Sequence, residues 1–191
     1  MWIETYTGEK VYPLEPDEKT LCVEDIAHAL ALTCRFGGHC SEFYSVAQHS
    51  CLVSDLCPDG LKLAGLMHDA AEAYLGDVVS PIKPACYFEE KGIARMSFHT
   101  AEWTTMAAIW HGAVKIKYLE HLRLDEVKPY DTAVLLYERK YLMPGKQKWA
   151  VRHTALSRKV CAELPALKCW GWKRAEREFL KRVGRLTNAK Q

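Results

Sequence analysis

At 191 residues the chain is long enough for one domain with a sizeable core, and 49 % hydrophobic residues give it a globular composition. Its formal charge is only +2, and its basic clusters (Lys146-Gln147-Lys148, Lys173-Arg174, Lys181-Arg182) lie apart, which argues against a nucleic-acid-coating protein and leaves small anionic ligands open. Met1-Trp2-Ile3-Glu4 is no signal peptide, no apolar run reaches the length of a membrane span, and the eight cysteines include no C-x-x-C pair, so a cytoplasmic chain with reduced thiols is expected.

Residues 1–20 are rich in turn formers, and Ile3, Tyr6, Val11 and Tyr12 suit either a short hairpin or a segment lying across the surface. A helix is expected over 23–33, with Ile26, Ala29, Leu30 and Thr33 on its inner face and His28 on its polar face. Cys34-Arg35-Phe36-Gly37-Gly38-His39 breaks the pattern, either as a ligand-approaching loop or as a plain helix cap and turn. The next helix, Ser45 to Leu56, carries His49 among the small residues Ala47, Ser50 and Cys51. After the turn Pro58-Asp59-Gly60 comes an apolar helix running from Leu63 to Gly76. Val78 to Pro84 reads as an extended loop ending in the cation Lys83.

Glu89 to Trp110 reads as one long helix stopped by Gly112, and its Trp103 and Trp110 are either core residues or an oligomer face. Another helix is expected over Glu126 to Met143, with Asp131 near its start, and two shorter ones over 155–164 and 172–183. The sum is an all-α, single-domain bundle with its core over about 23–143 and the helices of 150–186 packed against it.

The apolar helix holds the chemistry. His68, Asp69 and Glu72 stand within it, and residues three and four apart share a face, so Glu72 neighbours both others. Burying two carboxylates and an imidazole together is unfavourable by several kcal/mol unless something pairs them, roughly on the scale of a buried ion without its partner. A lone His-Asp pair is most often an ordinary charged helix face. Here, however, the order His49, His68-Asp69, Asp131 supplies two imidazoles and two carboxylates from three helices. That donor set suits Mn²⁺, Co²⁺, Fe²⁺, Ni²⁺, Zn²⁺ or Mg²⁺ and needs no thiolate.

In this ordered set the chain resembles the HD-domain phosphohydrolase superfamily, whose signature is H…HD…D on a helical bundle. Arg35-Phe36, Val46-Ala47-Gln48-His49-Ser50, His68-Asp69-Ala70-Ala71-Glu72 with Gly76-Asp77, and Ser80-Pro81-Ile82-Lys83 are similar to the bacterial 5′-deoxynucleotidase branch and to phage enzymes that remove triphosphate from dATP. The resemblance implies His49, His68, Asp69 and Asp131 as metal ligands, with Glu72 and Asp77 catalytic, handling protons and positioning water. Asp77 is also a candidate for a second metal. It further implies that Arg35 and Lys83 hold phosphate oxygens and that Phe36, standing where that branch carries Trp, lies beside the sugar. The activity implied is hydrolysis of a deoxynucleotide at the 5′-O–Pα bond, with dNTP (dATP first) favoured and a dNMP 5′-nucleotidase as the alternative. A nucleotide-binding module without turnover and a hydrolase of signalling nucleotides are the rivals. The expected partners are a small-molecule substrate and further copies of the chain, with no nucleic acid and no membrane.

Overall fold

The computed structural model describes residues 1–90, 93–116, 122–145 and 147–188. Among them are eight α-helices and two short antiparallel hairpins: β1 (Ile3–Glu4), β2 (Lys10–Val11), α1 (Val23–Leu32), α2 (Val46–Leu56), α3 (Lys62–Met67), α4 (Glu72–Leu75), β3 (Tyr87–Glu90), β4 (Ile93–Ser97), α5 (Phe98–Gly112), α6 (Leu124–Leu142), α7 (Ala155–Glu163) and α8 (Trp172–Asn188). The fold is therefore all-α in its bulk. No helix among the described residues is long and apolar enough to cross a membrane.

The central element is α2. Eight of its eleven residues are buried, because it packs against α1, α3, α6 and α8 at once. Ser45 caps it by accepting a hydrogen bond from the Gln48 backbone N–H at 3.1 Å. Its small residues allow α3 to come very close: a Cβ added to Gly65 would stand 2.9 Å from Cys57 Sγ and 3.3 Å from Ser54 Cα. This crossing sets His68, just past α3, against His49. The Gln48 side chain, also buried, donates to the Lys168 carbonyl and accepts from the Trp170 backbone N–H, both at 2.8 Å, and so clips the segment before α8 onto α2.

Two expected elements differ. Residues 89–110 are not one helix: β3 and β4 form a hairpin, with Tyr87 opposite Ser97 and Phe88 opposite Met96. Ser97 then starts α5 by capping the Thr100 N–H. Ser97 is thus a helix start inside what sequence periodicity joined into one run. The expected helix over 63–76 is interrupted at 68–71. There the bonds run three residues back (Ala70 N–H to Met67 carbonyl, Glu72 N–H to Asp69 carbonyl), a 3₁₀-like tightening before α4 and its cap at Gly76, whose φ is +82°. Trp110 is core and Trp103 is exposed, so the two tryptophans do not form one face.

Candidate metal and anion site

Four donor atoms converge between α2, the tight turn after α3, and α6. His49 Nε2 lies 3.2 Å from His68 Nε2, 3.3 Å from Asp131 Oδ1 and 3.6 Å from Asp69 Oδ2. His68 Nε2 lies 3.2 Å from Asp69 Oδ2 and 3.9 Å from Asp131 Oδ1. Ligands each about 2.0–2.2 Å from one ion stand about 3–4 Å apart, so the spacing fits a shared divalent cation. The ligand atoms of His49, His68 and Asp131 all lie within 4.8 Å of one another, and Asp69 sets its oxygen against both imidazoles.

The other ring nitrogens make this fit sharper. His68 Nδ1 faces the Gly65 carbonyl at 2.8 Å, and a carbonyl can only accept, so that nitrogen carries the proton. His49 Nδ1 faces Glu138 Oε1 at 2.7 Å in the same way. Both Nε2 atoms then present lone pairs toward each other and toward two carboxylate oxygens. Such an arrangement repels itself unless a cation lies among the four. In the metal-free protein a proton serves: burial and Arg35 oppose a charge on His49, but Glu138 and Asp131 overcome them and lift it to about 9. Burial likewise works against Asp69 and Asp131, yet the two histidines hold both carboxyls below their ordinary range.

Glu138 is the functional candidate that the sequence reading missed. It is fully buried, bonded to His49, and its second oxygen lies 3.3 Å from the Arg35 guanidinium. A signal was present, since Asp131, Val134 and Glu138 fall at i, i+3 and i+7 on one face of α6. Lys128 is a further addition, donating to Asp131 Oδ2 at 2.6 Å. Asp131 itself is the eighth residue of α6 rather than a first-turn residue, because the helix begins at Leu124.

Around this centre the remaining expected residues gather. Arg35 is buried, 3.6 Å from Asp69 Oδ2 through one terminal nitrogen, and its ring of acidic neighbours keeps it firmly charged despite burial. Glu72 is 6 % exposed, with Oε1 3.3 Å from Lys83 Nζ. Burial, then the Asp69 and Asp77 carboxylates, raise Glu72 to about 9. Burial also raises Asp77, against the pull of Arg35. Lys83 opens a 3₁₀ turn rather than ending an extended loop, and its stronger partner is Glu102 on α5 at 2.6 Å. Phe36 lies over Arg35 at 5.3 Å and tilts against Trp149 at 6.0 Å, which brings an unanticipated C-terminal aromatic to the rim.

No protein-family model matches the chain. Among curated proteins it is 44 % identical over 82 residues to the uncharacterized protein YfdR of Escherichia coli K12, covering 43 % of this chain and 46 % of that protein. It is 38 % identical over 93 residues to an uncharacterized protein of Rhodobacter capsulatus, covering 44 % of this chain and 47 % of the relative. The chain spans a little under half the length of each of these relatives.

Proposed function

We propose that this chain is a metal-dependent phosphohydrolase of the HD type that cleaves deoxynucleotides between the 5′-oxygen and the α-phosphorus, with dNTP, dATP first, as substrate. The observation that carries this reading is the convergence of four cation-seeking donor atoms from His49, His68, Asp69 and Asp131 beside two buried or half-buried cations, Arg35 and Lys83. A divalent ion bound there supplies Lewis acidity and a lowered pKa for bound water. Arg35 is assigned to a non-bridging phosphate oxygen: its terminal nitrogens lie near Asp69 and Glu138, and its Nε has no hydrogen-bond partner among the described residues. Glu72 likewise has an oxygen, Oε2, with no hydrogen-bond partner among the described residues, and it feels the Asp69 carboxylate three residues before it. Positive charge brought into the site lowers its pKa toward neutrality, which suits it to take a proton from the attacking water. Asp77, which feels the charges of Arg35, Asp69 and Lys83, is assigned to share that task or to protonate the leaving 5′-oxygen.

The test is to strip the protein with a chelator, reload it with Co²⁺, Mn²⁺, Mg²⁺ or Zn²⁺, and assay each dNMP, dNTP and rNTP with separation of products. Deoxynucleoside and tripolyphosphate from dATP are expected. Orthophosphate from dNMP alone would move the reading to a 5′-nucleotidase with the same site. No turnover of any substrate by protein that holds metal would overturn the catalytic reading.

A further inference from the structure

The thiols of Cys34 and Cys40 lie 3.4 Å apart, across the loop that carries Arg35 and Phe36. Five residues separate them, and the loop is built to bring its ends together. Cys34 bridges to Ser45, and the Arg35 N–H donates to the Tyr44 carbonyl at 2.9 Å. The Gly38 and His39 N–H groups turn back to the Arg35 and Phe36 carbonyls, and Ser41 N–H is tied to the Leu142 carbonyl at 2.8 Å. Gly37 and Gly38 both take positive φ at the tip, which lets the chain reverse so tightly. Both cysteines are partly accessible, whereas Cys51 and Cys57 are sealed in the core.

We propose that Cys34 and Cys40 form a redox-modification site, which a low-molecular-weight disulfide such as oxidised glutathione converts to an intramolecular disulfide clamping the loop of Arg35. One protein thiolate attacks a sulfur of the small disulfide, releasing one small thiol and leaving a mixed disulfide. The second protein thiolate attacks the protein sulfur of that bond and releases the second small thiol. Two protein thiols lose two electrons, the small disulfide gains them, and the two thiol protons end on the released thiols. Sulfurs 3.4 Å apart need only a side-chain adjustment to reach the bond length of about 2.05 Å. Oxidation removes the Cys40 S–H, which donates to the Arg35 carbonyl at 3.7 Å, so that contact is lost. The reaction therefore acts on the backbone of the residue that reaches Asp69 and Glu138. This inference is independent of the activity proposed above, because its readout is covalent.

The experiment uses the full chain, freshly reduced, exchanged into reductant-free buffer and incubated with oxidised glutathione. The free-thiol count is expected to fall by the pair, with the mass of two hydrogens lost per chain and full reversal by dithiothreitol. Trypsin cuts after Arg35, so non-reducing digestion should yield two peptides joined through Cys34 and Cys40. Cys34→Ser and Cys40→Ser should each stop at a stable mixed disulfide, with Cys34→Ala as a second variant if the serine perturbs folding, and Cys169→Ser should still form the link. An unchanged thiol count, a terminal glutathione adduct on the wild type, or a crosslink through Cys169 would overturn the assignment. So would zinc held by reduced His49→Ala protein and lost on adding Cys34→Ser, which would make the pair a metal site.

Discussion

Replacing Glu138 by Gln tests the least anticipated part of the site. The substitution keeps the volume and leaves one carbonyl oxygen able to accept from His49 Nδ1, but it removes a buried negative charge that sits between His49 at 2.7 Å and Arg35 at 3.3 Å. Charge-assisted hydrogen bonds are worth about 1.5–3 kcal/mol net against about 0.5–1.5 kcal/mol for neutral ones, so each contact weakens by about 1 kcal/mol. Among the described residues Arg35 then keeps only Asp69, at 3.6 Å, as a direct ion-pair partner, and the Gln amide turns donors toward the guanidinium. Together these give a stability loss of about 2–4 kcal/mol, overlapping the lower part of the range of about 3–5 kcal/mol for breaking a buried ion pair. Metal affinity should fall about 10–100-fold, since the His49 ring loses both its anchor and part of its basicity. Equilibrium denaturation of the metal-free protein gives the first quantity, and competition with a chromophoric chelator gives the second. A Glu138→Gln protein with wild-type metal affinity would refute the claim that Glu138 orients a ligand.

Other perturbations separate the roles around it. Asp131→Asn and His68→Asn should each reduce bound metal from one ion per chain toward none by elemental analysis, with the circular dichroism spectrum retained. Glu72→Gln should stabilise the metal-free protein at pH 7 by about 1–3 kcal/mol, because a carboxyl raised from 4.5 to about 9 by burial is ionised there only at a cost; it should also abolish turnover, and an unchanged or lowered melting temperature would count against that burden. For His49, raised from 6.5 to about 9, the stability it contributes is complete below its unfolded pKa and lost as pH rises through the folded one. The melting temperature of chelator-treated protein should therefore fall between about pH 6 and 9, and the fall should be smaller in His49→Gln; equal slopes would contradict the assignment. Gly65→Ala forces α2 and α3 apart and should destabilise the protein by about 1–3 kcal/mol while weakening metal binding, both read from the same melts with and without Co²⁺.

Helices α1, α2 and α6 were legible because their apolar positions recur at helical spacing and their ends carry clear signals, such as Ser45 before α2. The donor residues were legible as residue types in order, and the structure brings all four of them together. The break at 68–71 was not legible, since its residues (His68, Asp69, Ala70, Ala71) have no breaker among them, and the tightening shows only in which carbonyls the N–H groups choose. Nor was the β3–β4 hairpin, whose mixed apolar residues fit helical spacing about as well as alternation. Glu138 is not legible as a site residue, because a glutamate between Tyr137 and Arg139 looks like an ordinary helix-surface charge. Only its partners on α2 and in the Arg35 loop, 89 and 103 residues away in sequence, explain its burial.

The Gln48 clip has a consequence for how the molecule can be cut. Its amide fills both the donor and the acceptor of the 168–170 backbone and is 4 % exposed, directly beside His49 in the chain. A fragment ending before Lys168 would remove both partners of that amide together with the α8 face packed on α1, α2 and α3, and so open the interior to water one residue from a metal-ligand candidate. The tail is in this sense a strap buckled to the centre, and any minimal fragment that keeps the four donors intact has to keep the strap as well.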